Sequence, residues 1–129
     1  MEKQTYSYEE AFAKSLEYFN GDELAARVWV NKYAVKDSFG NIYEQSPEDM
    51  HWRLANEVAR IEAKYKNGLS AQQLFELFDH FKYIVPQGSP MTGIGNDFQV
   101  ASLSNCFVIG MDGEADSYGA IIRIDEEQV

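Results

Sequence analysis

The sequence predicts a mainly α-helical protein, and three observations carry that reading. Four segments between Tyr6 and Phe81 repeat apolar residues at steps of three and four, each opened by a cap and closed by a turn. From Pro86 the chain turns to glycine, proline and small polar residues, with one short alternating stretch and the start of a further helix. At 129 residues, with 14% aromatic and 45% hydrophobic content, it is long and apolar enough to bury one core without disulfides or metal. The expected organisation is a helical amino-terminal domain over residues 1–85. A glycine- and proline-rich loop, a strand and the start of a helix follow over residues 86–129.

Each element has a local cause. Ser7-Tyr8-Glu9-Glu10 is a capping box, Tyr8, Phe12, Leu16 and Phe19 share one helical face, and Asn20-Gly21 supplies a left-handed stop. Asp22 caps the second helix, which carries Leu24, Val28 and Trp29 towards Tyr33 and ends before the turn Asp37-Ser38-Phe39-Gly40-Asn41. Ser46-Pro47-Glu48-Asp49 opens the third helix, with proline at a position whose amide hydrogen has no helical partner. Its stripe is Met50, Leu54, Val58, Ile61 and Tyr65, closed by Asn67-Gly68. Ser70-Ala71-Gln72-Gln73 is a second capping box, with Leu74, Leu77, Phe78 and Phe81 on the buried face.

Pro86-Gln87-Gly88-Ser89-Pro90 and Gly93-Ile94-Gly95-Asn96-Asp97 read as an extended, winding loop. From Ala101 to Ile109 the alternation predicts a strand with Leu103, Asn105, Phe107 and Ile109 on one face and Ser104 and Cys106 on the other. Asp116 is expected to cap a helix over Ser117 to Val129, which has no stop signal, so the chain is expected to be cut inside an element.

Eleven Lys and Arg against twenty-one Asp and Glu give a net charge of -10, which repels a phosphate backbone and argues against polymeric nucleic acid. A single nucleotide remains compatible, because local amides can hold one phosphate against the global field. No apolar stretch approaches the roughly 18 residues needed to span a bilayer, and the polar start carries no export signal. With one cysteine, Cys106, no intrachain disulfide forms, which fits a reducing, cytoplasmic setting. His51 and His80 are too few to build a metal site, so no metal is expected; both read as surface or partly satisfied positions. Trp29 and Trp52 read as packing.

By residue chemistry alone, Cys106 is a small buried hydrophobe, with no Lys, Arg or His near it in sequence to activate the thiol. Ser89, Gly93 and Gly95 equally suit a plain loop, Asp112 beside Gly113 suits a turn, and Asp116 suits an N-cap.

A resemblance changes these weights. Gly88-Ser89-Pro90, Gly95, Ser102-Leu103-Ser104-Asn105-Cys106-Phe107-Val108-Ile109 and Asp116-Ser117 are similar to the first part of the ribonucleotide reductase catalytic domain. Tyr18-Phe19-Asn20-Gly21-Asp22-Glu23-Leu24-Ala25, Trp29, Lys32-Tyr33-Ala34, Gly40-Asn41 and Ser46-Pro47-Glu48-Asp49-Met50 resemble the helical region that precedes it, most of all in the adenosylcobalamin-dependent branch. The resemblance implies a ribonucleoside-diphosphate reductase large subunit, with the last strand and helix belonging to an α/β barrel.

It further implies that Cys106 is half of a redox pair, that Ser89, Ser104 and Asn105 hold the ribonucleotide substrate, and that Asp112 or Asp116 contacts a deoxynucleotide effector. The partner cysteine and the radical cysteine lie downstream in the family, so the 129-residue chain is expected to be inactive alone and to bind no adenosylcobalamin itself. Its expected partner is the remainder of the barrel; without it, the unpaired strand edge could join two copies in a homodimer of no biological meaning. The alternative reading is a non-catalytic helical module that acts through protein contacts.

Overall fold

A computed structural model describes residues 4–104, 106 and 117–127. The chain is mainly helical: α1 Tyr8–Tyr18, α2 Glu23–Lys32, α3 Pro47–Glu62, α4 Ala71–Phe78, a 3-10 turn Asp79–Phe81, α5 Gly88–Gly93 and α6 Tyr118–Glu127. α1 lies against α2, and α3 lies against α4.

The caps form as the sequence chemistry requires. Ser7 Oγ accepts from Glu10 N at 3.2 Å while the Glu10 carboxylate accepts from Ser7 N at 2.8 Å. Ser70 and Gln73 make the equivalent pair for α4, and Asp22 Oδ1 accepts from Ala25 N at 2.9 Å for α2. α3 starts at Pro47 as expected, but Ser46 makes no side-chain cap; Asp49 instead reaches back to accept from Gln45 N at 2.9 Å.

The core comprises Ala11, Trp29, Val30, Ala34, Ile42, Met50, Leu54, Ala55, Leu74, Phe78 and Met91. Two predicted faces are rotated from those observed. In α2 the buried residues are Ala26, Trp29 and Val30, whereas Leu24 is 73% exposed and Val28 42%. The indole decides this: Trp29 turns inward, where its Nε1–H donates to Met50 Sδ at 3.4 Å, and only the Ala26–Val30 side follows it. In α1 the fully buried positions are Ala11 and Ser15, with Phe12 and Phe19 packed beside them and Tyr8 exposed.

The α3 stripe is wider and shorter than predicted. Met50, His51, Leu54 and Ala55 are buried, but the helix ends at Glu62, so Tyr65 leaves the helical period and is exposed. Gly68 closes that turn by close approach, since a Cβ there would lie 2.0 Å from the Glu62 carbonyl oxygen.

Three further expectations are revised. The segment after Pro86 contains α5 rather than only loop, because Gly88, Ser89 and Pro90 occupy first-turn positions where a missing amide hydrogen breaks no helical bond. Ala101–Ser104 and Cys106 are in no strand; among the described residues no neighbouring strand offers them a ladder, and the rest of the predicted strand lies outside the described residues. At the start of α6 it is Ser117 whose Oγ accepts from Ala120 N at 3.1 Å, while Asp116 lies outside the described residues. Among the described residues no helix is long and apolar enough to cross a membrane.

Leu54→Ala should cost about 2–5 kcal/mol of stability, as for a large-to-small change in a filled core. Leu24→Ala should stay within about 0.5 kcal/mol. Urea unfolding of the two variants checks the assignment of faces, and equal losses would contradict it.

Candidate functional site

Two of the residues singled out for ligand contact, Ser89 and Ser104, meet at α5. Thr92 Oγ1 donates back to the Gly88 and Ser89 carbonyls at 3.2 and 3.3 Å, tying up its own hydroxyl hydrogen. Ser89 Oγ reaches the Ser104 carbonyl at 3.4 Å, which brings together two positions fifteen residues apart in sequence. Ser104 N in turn donates to Ser102 Oγ at 3.2 Å. Beside Ser89 lies a groove of about 360 Å³ lined by Lys32, Tyr33, Gly88, Ser89 and Thr92. A cation, a phenol and two hydroxyl-bearing side chains line one opening, a set suited to an anionic ligand that also carries hydroxyls. Cys106 is exposed, two residues beyond Ser104. Asn105, Asp112 and Asp116 lie outside the described residues.

α5 is held in turn by Arg53, a residue that sequence reasoning does not single out. Its Nε donates to Glu44 Oε1 at 2.6 Å, one Nη donates to the Met91 carbonyl at 2.6 Å, and the other donates to the Ile94 carbonyl. Glu44 is buried, and its second oxygen accepts from Val35 N at 2.9 Å. Nothing in the local sequence marks this pair, since Glu44 sits in an irregular segment and Arg53 on a charged helix.

A second polar constellation lies on the opposite side of α3. His51 is fully buried, between Phe78 and Phe81. Its Nδ1 is 3.3 Å from the Tyr18 hydroxyl, which donates to Asp79 Oδ1 at 3.0 Å and accepts from His80 N at 2.6 Å. Since the phenol gives its one hydrogen to Asp79, the His51 hydrogen belongs on Nδ1, leaving Nε2 as a buried acceptor with no partner. Burial pushes the Tyr18 phenol up, so it stays a neutral donor. The cluster holds His80 and Phe81 at φ 51° and 54°, a left-handed pair that side-chain-bearing residues adopt only under constraint. His80 is thus the surface case of the reading made for the histidines and His51 the partly satisfied one; a wider apolar stripe, with His51 beside Met50 and before Leu54 and Ala55, would have placed it in the core.

Among the described residues no group of three or more His, Cys, Asp or Glu side chains is placed to hold a metal ion.

The fold just described is that of an all-α domain, and residues 19–92, from the end of α1 through nearly all of α5, match the family described as ribonucleotide reductase, all-alpha domain. The chain belongs to that family. No curated protein and no solved structure matches it.

Burial lowers the His51 pKa to about 4; the nearby Asp79 carboxylate opposes the shift, and His80 and Arg53 reinforce it. Because the unfolded imidazole titrates near 6.5, the unfolded state takes up the proton first. Stability should therefore be complete above about pH 6.5 and fall as pH drops towards 4, by at most about 1.4 kcal/mol per pH unit. His51→Gln should flatten that fall. Urea unfolding at pH 7 and pH 5 tests this, and an equal slope in the variant would contradict it.

Proposed function

We propose that this chain serves as the amino-terminal part of a ribonucleotide reductase catalytic subunit, which reduces ribonucleoside diphosphates to deoxyribonucleotides. The observation that carries this reading is the match of residues 19–92 to the all-alpha domain of that family. The match stops at Thr92, so the role of Cys106 rests on the resemblance of Ser102 to Ile109 and on the exposure of the thiol. In this reading Cys106 and a second cysteine of the catalytic barrel supply two electrons and become a disulfide, while the ribose hydroxyl leaves as water. With one cysteine the 129-residue chain has no such pair and does not turn over alone.

Ser89, Ser104 and Asn105 are assigned to the substrate. The Lys32-lined groove supports this for Ser89, and the contact of Ser89 Oγ with the Ser104 carbonyl brings Ser104 beside it. Asp112 or Asp116 is assigned to the effector by resemblance alone. The adenosylcobalamin-dependent branch is favoured on the same ground. That cofactor would supply the radical, and no residue of this chain is assigned to hold it. The remainder of the barrel and a second copy are the proposed partners, and the exposed Tyr118, Ile121 and Ile122 of α6 are apolar surface that either would cover.

The test uses the full-length protein. Cys106→Ser should abolish multiple turnover with an external dithiol while leaving nucleotide affinity within about twofold; undiminished turnover would remove Cys106 from the redox pair. Ser89→Ala should raise the nucleotide Kd by roughly 3- to 10-fold, the loss expected for one hydrogen bond.

A further inference from the structure

We propose that Arg53, oriented by Glu44, is the positioning residue that fixes the Gly88–Ser104 segment on the helical domain and so sets the geometry of the ligand groove. The role in ligand binding rests on the reading of Ser89 and Ser104 given above; the fixing of the segment does not.

α5 cannot hold its own place. It is six residues long, far below the length at which a helix is stable alone, and it contains two glycines and a proline. Its last carbonyls have no helical partner, as at any helix end. Two of the acceptors at this end, Met91 O and Ile94 O, are the ones Arg53 takes, three positions apart along the chain and matched to the two arms of one planar guanidinium. The third arm, Nε, is held by Glu44 Oε1, so the plane of the fork is set before it meets α5. Both side chains are largely buried, at 13% and 6% exposure, which keeps water from competing for the same donors.

The neighbouring glycine is shaped by this arrangement. Gly95 has φ +69°, and a Cβ there would stand 2.9 Å from Arg53 Cγ, so the chain can turn over the arginine stem only where no side chain intrudes.

From α5 the restraint passes on to residues 101–104. A Cβ at Gly93 would lie 2.9 Å from Leu103 Cδ2 and 3.3 Å from Ala101 Cβ, so the end of α5 and this stretch are in close contact. Ser89 Oγ meets the Ser104 carbonyl at the other end of α5. Moving Met91 and Ile94 would therefore move the α5 wall of the groove, Gly88, Ser89 and Thr92, against Lys32 and Tyr33. Met91 burial in the core and the Tyr43–Phe98 stack, with centroids 4.3 Å apart, secure the segment by packing, but neither fixes the rotation of α5 as a planar fork on two carbonyls does.

Arg53→Lys is the informative change. It keeps the charge beside Glu44, yet one ammonium nitrogen cannot occupy the three donor positions of the guanidinium. In the 129-residue chain, amide hydrogen exchange at Ile94 and Asn96, which donate to Pro90 O and Gly93 O, should accelerate at least tenfold, while Trp29 and Leu54 change less than twofold. In the full-length protein the same variant should raise the Kd for CDP or CTP at least fivefold. Unchanged exchange at Ile94 and Asn96 would overturn the proposal, as would accelerated exchange with unaltered affinity for both nucleotides. If Arg53→Lys unfolds, Glu44→Gln, which keeps an acceptor for Val35 N but removes the charge that orients the fork, is read by the same two measurements. An unchanged Kd in Ser89→Ala is a separate result: it removes Ser89 as a ligand contact and leaves the exchange test of Arg53 standing.

Discussion

A guanidinium that is mostly withdrawn from water must find a partner for its charge and acceptors for its hydrogens, and in this protein the partners come from separate stretches of chain. Glu44 supplies the charge from the irregular segment between α2 and α3, and Met91 and Ile94 supply carbonyls from α5 and the residue after it. Glu44 also accepts from Val35 N, so one carboxylate joins the end of α2, the body of α3 and, through Arg53, the start of the ligand-bearing segment. Breaking such a pair from one side leaves a buried charge uncompensated, at a cost of about 3–5 kcal/mol. The helical domain and the segment after Pro86 are bound together at this point as well as by their apolar contact through Met91.

The His51 cluster has a comparable role on the other side of α3. The chain must reverse after α4 to bring α5 back to the domain, and it does so through two successive left-handed residues, His80 and Phe81. Asp79 Oδ1 and the Tyr18 hydroxyl both take the His80 amide hydrogen, and His51 supports the phenol from within the core. The strain of the turn and the unpaired Nε2 of His51 are offset by the aromatic packing of Phe78, Phe81 and Phe19 around them. The Glu44–Arg53 cluster is what brings the end of α2, with Lys32, opposite α5 across the groove, since it bonds Val35 N on one side and the Met91 and Ile94 carbonyls on the other.

Membership of the ribonucleotide reductase family rests on residues 19–92, which also hold the groove beside Ser89, while the redox role proposed for Cys106 rests on the segment after Thr92. This division has a physical counterpart. The helical domain is a packed core whose pattern is repeated over four helices, so a match to it is well supported by many residues at once. The ligand groove is a few side chains on a short helix and an irregular stretch, and its composition alone is compatible with an ordinary loop.

Helix existence was legible because its causes are local: the serines of the two capping boxes, Asp22, Pro47 and the Asn20-Gly21 stop act on neighbours within one turn. Which face of each helix is buried was only partly legible. Leu24 and Val28 are as apolar as Ala26 and Val30, and the choice between the two sides of α2 was made by Met50, twenty-one residues away, as the partner of the Trp29 indole. α5 was read as loop because its glycines and proline have poor helix propensity, and its helical turn depends on Arg53 and on burial of Met91. The meeting of Ser89 with Ser104, the fork of Arg53 on two carbonyls and the burial of His51 carry no mark in the linear pattern. The sequence by itself determined where the first four helices begin, the acidic balance and the single thiol, because each depends on composition or on neighbours in the chain. Only the tertiary structure decided which polar side chains are withdrawn from water and what they hold, because a buried charge or imidazole is positioned by partners drawn from distant segments.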